Sequence, residues 1–139
     1  MKSGFVLDCS VAMTWCFEDE ATPETDKILD HFNHETAVVP ALWHLEVANV
    51  IALAERKNRL TENEAMEFWS LVDSLPITTD NILPERGRRE IFHLARKYNL
   101  TVYDAAYLDI AIRYSFPLAT LDKKLIQIAN SIDIQTIPK

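Results

Sequence analysis

Five short apolar runs, each parted from the next by stretches of helical period, constrain this chain more than any other feature. The runs are "GFVLD" (4–8), "AVVP" (37–40), "PIT" (76–78), "PLAT" (117–120) and "IQTI" (134–137). Between them, apolar residues recur at helical spacing near 10–17, 22–34, 42–58, 61–74, 84–98, 102–115 and 122–130. Continuously apolar strands are buried on both faces, and helices placed between them supply the cover. No repeat, low-complexity tract or Pro/Gly/Ser-rich linker interrupts the pattern. The expectation is one α/β domain over residues 1–139, with a short central parallel sheet of about five strands between helices.

Glycine content narrows the chemistry. With only Gly4 and Gly87 in 139 residues, the chain carries neither a GxGxxG nor a GxxxxGK phosphate loop, so no nucleotide cofactor is expected. No apolar run approaches the roughly 20 residues that span a bilayer, and the N-terminus lacks a signal-peptide pattern, so no membrane is expected. Cys9 and Cys16 form neither a CxxC pair nor a zinc-spaced cluster. They read as small apolar core residues of a protein in a reducing cytoplasm.

The net charge of −7 argues at first against a nucleic-acid partner. Its distribution is uneven, however. Residues 1–69 hold 5 Lys/Arg against 13 Asp/Glu, and residues 70–139 hold 9 against 8. The basic clusters "ERGRRE" and "LDKKL" lie in the second half.

Ligands of parallel sheets bind beyond the carboxyl ends of the strands. Asp8 ends the first run, and Asp122 follows "PLAT" in the same way. Each also suits a local role, Asp8 in a turn and Asp122 as a helix N-cap. Glu46 lies within "PALWHLEVANVIALAE", which is apolar on nearly all sides and is expected to be largely buried. Its helical neighbours Leu42, Trp43, Asn49 and Val50 include no cation. A buried carboxylate without a cation costs roughly several kcal/mol, so Glu46 either sits at the helix edge or serves a metal. Thr101-x-x-Asp104 has the spacing of a capping box, as does Thr61-x-x-Glu64, but no strand precedes the latter. Asp109 follows Asp104 by five residues, about 140° round the helix, and is expected to be solvated. Four acids gathered at one sheet end would repel, which implies an oxygen-liking divalent ion such as Mg²⁺ or Mn²⁺.

The ordered set Asp8-x-Ser10, Glu46-x-x-Asn49, "YDAAY" with Asp104 and "LATLD" with Asp122 resembles the PIN-domain ribonucleases. In particular it resembles the VapC-type toxins of toxin–antitoxin pairs, over the whole chain and in order. The resemblance implies a PIN-like (Rossmann-like) fold and Mg²⁺-dependent or Mn²⁺-dependent cleavage of RNA. It also implies a homodimer and neutralisation by a cognate VapB-like antitoxin. Carried over, Asp8, Glu46, Asp104 and Asp122 form the acidic quartet, the catalytic and metal-binding residues. Ser10 and Thr120 support it through their hydroxyls, and Asn49 is a polar neighbour of Glu46.

On this reading an ion, or a pair about 3.5–4 Å apart, binds the scissile phosphate and acidifies a water. Asp8 and Asp104 are the direct ligands, while Glu46 and Asp122 bind directly or through water. Arg86, Arg89, His93 and Arg96 recur on one helical face. Together with Lys123 and Lys124 they offer a path for RNA phosphates, or simply a solvated surface. Trp15, Trp43, Trp69, Tyr103, Tyr107 and Tyr114 read as core aromatics, and no histidine has a triad-like setting. Two rival readings remain open: an Mg-dependent phosphatase or phosphotransfer domain with an acidic pocket, and a catalytically idle PIN-like interaction module.

Overall fold

A computed structural model describes residues 3–139. Its strands are β1 (Gly4–Leu7), β2 (Thr36–Pro40), β3 (Ile77–Asp80), β4 (Leu118–Ala119) and β5 (Thr136–Ile137). All neighbours pair in parallel, in the order β3-β2-β1-β4-β5. The helices are α1 (Cys9–Thr14), α2 (Pro23–His31), α3 (Leu42–Arg56), α4 (Glu62–Ser74), α5 (Pro84–Arg86), α6 (Phe92–Tyr98), α7 (Val102–Tyr114) and α8 (Lys123–Ser131). The expected α/β architecture is the observed one.

Central β1 shows why the runs are continuously apolar. Phe5, Val6 and Leu7 alternate between the two sheet faces, yet all are fully buried, so both faces are covered. Gly4 opens this strand because nothing larger fits. A Cβ there would lie 2.6 Å from the Thr36 carbonyl oxygen and 2.7 Å from the Phe116 ring. Helix α7 packs across β1, β2 and β4, burying the unbroken stretch from Ala105 to Ala111. A second, smaller cluster of Ile91, Ala95, Ala105 and Ala106 ties α6 to the start of α7.

Several expectations need correction. The segment 84–98 is not one regular helix, because a wide π turn over Gly87–Ile91 separates α5 from α6. Only Trp43, Val47, Ile51 and Ala54 of α3 are buried, while Leu45 is 75% exposed. An apolar helix can exceed what its own core covers, and the excess is left facing outward. Tyr103 and Tyr114 are likewise exposed, in contrast to Trp43 and Tyr107. Cys9 and Cys16 sit half-buried at the core margin as free thiols.

Asp109 is buried, not solvated. Its carboxylate meets two cations, Arg113 one helical turn on and Arg86 23 residues back. Its Oδ1 accepts from Arg86 Nη2 at 2.6 Å, and its Oδ2 accepts from Arg86 Nε and Arg113 Nε, both at 3.0 Å. Arg113 also bonds Asp80, which accepts from the Tyr114 hydroxyl at 2.8 Å. This network fastens β3 and α5 to α7. Burial alone would raise the Asp80 carboxyl, but the bonds from Arg113 and Tyr114 and the Arg113 charge outweigh it and hold it low.

Candidate active site

The chain builds outward from β1 through β2 to β3, then crosses to β4 on the other side of β1. Strand order therefore reverses between β1 and β4, and a crevice opens beyond their carboxyl ends. Asp8 and Thr120 are the first residues past those two ends, and the Asp8 amide donates to the Ala119 carbonyl at 2.9 Å.

Asp8 precedes α1, but its carboxylate does not cap that helix. Instead Oδ2 accepts from Ser10 Oγ at 2.8 Å and from Thr120 Oγ1 at 2.7 Å. Both hydroxyls are themselves anchored, Ser10 Oγ by the Leu121 amide at 3.0 Å and Thr120 Oγ1 by the Asp122 amide at 3.1 Å. The Asp8 carboxyl is nonetheless raised. Burial dominates, the nearby Asp122 charge adds to it, and bonds from Thr120, Ser10 and the Cys9 amide offset only part.

The other acids converge from three helices. Glu46 projects from α3, half-buried, and its Oε1 accepts a short bond from the hydroxyl of Tyr107 on α7. Burial raises its carboxyl, and the Asp8 and Asp104 charges add to the rise. Asp104 stands in the first turn of α7, where its amide donates to Thr101 Oγ1 at 3.0 Å. The return half of the capping box, in which the Thr61 amide donates to Glu64 Oε1 at 3.0 Å, has no counterpart here. Burial together with the Asp122 and Asp8 charges raises the Asp104 carboxyl, and the Thr101 hydroxyl and the Lys124 charge offset only part. Asp122 caps α8 with Oδ1, which accepts from the Leu125 amide at 2.9 Å. The N-cap expected of Asp122 is thus made by one oxygen alone.

The quartet is therefore brought together, with Ser10 and Thr120 bonded to it. Asn49 is not; it is exposed on α3 and bonds no described side chain. Tyr107 is the residue that the sequence hid. An aromatic inside an apolar helix looks like core, and its partner Glu46 lies 61 positions away. Cys9 borders the site, but burial, with the Glu46 and Asp8 charges adding to it, pushes its thiol up to about 12. It stays protonated and unreactive at neutral pH.

The basic side chains are less available than their spacing suggests. Arg86 is committed to Asp109. Arg89 and His93 share a cleft with it, whereas Arg96 lies over the Phe92 ring at 4.5 Å. Lys124 reaches the Asn99 carbonyl, and Lys123 is exposed.

Among the described residues, no three Asp, Glu, His or Cys side chains are drawn into a ready-made ligand cage. What the crevice offers is a spread set of carboxylate oxygens with mutual repulsion. That suits Mg²⁺, which binds through one or two carboxylates and keeps several waters.

Residues 5–131 match the PIN domain family. The chain belongs to it. Among curated relatives, Ribonuclease VapC3 of Pyrobaculum aerophilum is 34% identical over 125 residues, covering 86% of this chain and 90% of the relative. Ribonuclease VapC1 of Mycobacterium tuberculosis is 30% identical over 86 residues, 62% of each chain. The protein is thus a PIN-domain chain of VapC type. The fold also matches the crystal structure of PAE2754 from Pyrobaculum aerophilum, with a TM-score of 0.69 at 22% identity, over 91% of this chain and 86% of that one. FitAcB from Neisseria gonorrhoeae matches with a TM-score of 0.62 at 18% identity, over 96% of each.

Proposed function

We propose that this protein is a divalent-metal-dependent endoribonuclease and the toxin of a toxin–antitoxin pair. The observation that carries the reading is the crevice between β1 and β4, where Asp8, Glu46, Asp104 and Asp122 influence one another electrostatically and the Lys124 charge offsets only part of this at Asp104. The kinship to ribonucleases named VapC supports RNA as the substrate. PIN membership sets the phosphatase and phosphotransfer readings aside, and the presence of all four acids argues against an idle module.

When bound, Mg²⁺ or Mn²⁺ supplies charge neutralisation at the scissile phosphate and a more acidic water. Asp8 and Asp104 would hold it, with Glu46 and Asp122 binding directly or through water. Ser10 and Thr120 fix the aim of Asp8 by occupying its Oδ2. Tyr107 does the same for Glu46, leaving Oε2 to orient the attacking water. Arg89, Lys123 and Lys124 remain candidates for guiding the RNA; Arg86 does not, since Asp109 holds it.

Kinship to ribonucleases named VapC supports protein partners, a cognate antitoxin and a second copy of the chain. A groove lined by Trp15, Phe17, Phe68, Glu18, Asp19 and Glu67 also holds Arg59, which pairs with Asp19 at 3.1 Å and lies over the Phe17 ring at 3.9 Å. An antitoxin tail docking there would have to take the place of that arginine.

The test is cleavage of a mixed RNA substrate by purified protein. Cleavage should stop in EDTA and return with Mg²⁺ or Mn²⁺. Undiminished cleavage in EDTA would remove the metal from the reading.

A further inference from the structure

Three of the four site carboxylates share a pattern that a simple acidic cluster would not need. Each commits one oxygen to a donor of the protein: Asp8 Oδ2 to Ser10 and Thr120, Glu46 Oε1 to Tyr107, and Asp122 Oδ1 to the Leu125 amide. At Glu46 and Asp122 the second oxygen accepts from no donor among the described residues, whereas Asp8 also takes the Cys9 amide. At Glu46 the donor is a fully buried tyrosine on a different helix, held by the core on all sides. Tyr107 cannot swing away to release Oε1 without leaving its hydroxyl buried and unpaired.

We propose that Tyr107 is a positioning residue that sets metal selectivity, by restricting Glu46 to one-oxygen contact with an ion. This inference rests on the metal-dependent reading above. Mg²⁺ and Mn²⁺ accept six ligands at short distances and are served by single oxygens and waters. Ca²⁺ takes six to eight oxygens and often draws both from one carboxylate. A Glu46 that offers only one oxygen therefore favours the smaller ions at that ligand. Loss of the Tyr107 hydroxyl frees Oε1 and relaxes that preference at Glu46.

The experiment measures metal binding without RNA. Mn²⁺ bound to the protein is followed by electron paramagnetic resonance while Ca²⁺ is titrated in, for wild type, Tyr107→Phe and Asp8→Asn. Circular dichroism confirms that each is folded. In Tyr107→Phe the Ca²⁺:Mn²⁺ ratio needed for half-displacement should fall at least about tenfold, within the range that groups supporting a metal ligand commonly exert. An unchanged ratio, even with both affinities lowered, would overturn the inference and leave Tyr107 a structural contact. Wild type binding Mn²⁺ no better than Asp8→Asn would defeat the metal reading itself, and the inference with it. If Tyr107→Phe does not fold, Tyr107→Met, which also lacks the hydroxyl, carries the same expectation.

Discussion

Thr120 Oγ1 donates to Asp8 Oδ2 at 2.7 Å, joining residues 112 positions apart across the reversal of the sheet. The bond fixes which way a buried carboxylate faces. Thr120→Val keeps the shape and removes only that donor. Cleavage should fall about 10-fold to 100-fold, with metal affinity falling alongside it and the fold unchanged. Wild-type kcat/KM in this variant would show that Ser10 alone sets the aim of Asp8.

Repulsion within the metal-free quartet makes a prediction about stability. Asp8→Asn should melt at the wild-type temperature or above it in EDTA, because one of the crowded charges is gone. Mn²⁺ at 100 times its Kd should add about 2.7 kcal/mol to wild type and far less to the variant. Equal shifts in thermal denaturation would mean that the ion binds elsewhere.

Acidity acts on the site with a definite sign. The carboxyls of Asp8, Glu46 and Asp104 are raised in the fold, chiefly by burial. Without metal, the stability they contribute is present below the ordinary carboxyl range, near about pH 4, and is lost as pH rises through their folded values. Asp80 is lowered by Arg113, so its contribution is lost only as pH falls through its own depressed value. Bound metal requires the ionised forms. Melting curves from pH 4 to 8 should therefore show the gap between Mn²⁺ and EDTA widening as pH rises. A constant gap would contradict this.

Asp109 holds two arginines away from the crevice, and its role is mechanical. Asp109→Asn should destabilise the protein by at most about 3 kcal/mol, under the range for fully buried pairs, because Arg86 and Arg113 are 31% and 26% exposed. Urea denaturation measures the loss. Cleavage at low temperature should persist, and its disappearance in a folded variant would give Asp109 a part in the chemistry.

Local signals explain what was readable from the chain and what was not. The spacing around Glu46 and Asp104 predicts helices at 42–58 and 102–115, and the structure has Leu42–Arg56 and Val102–Tyr114. Continuous burial marked β1, and with it Asp8. β3 was read short, as 76–78, because Thr79 and Asp80 are polar on a strand paired only with β2; the ladder runs on to Pro40 and Asp80. Tyr107 reads as core and is core, but its bond to Glu46, 61 residues away, leaves no trace in the sequence. Expecting Asp109 to be solvated passes over Arg113 one helical turn on, while its pair with Arg86, 23 residues back, is made only in three dimensions. Thr61-x-x-Glu64 and Thr101-x-x-Asp104 have the same capping-box spacing in the sequence, and only the structure separates them, since Glu64 completes its box and Asp104 does not.

The central claim is that cleavage belongs to the acids and not to the fold around them. Its most direct measurement is the rate of RNA cleavage by Asp8→Asn and Asp104→Asn, each purified to homogeneity and assayed with Mg²⁺ beside wild type. Far-UV circular dichroism is recorded on the same samples. The expected result is native spectra with cleavage abolished in both variants. Cleavage at the wild-type rate by both would contradict the assignment of the site.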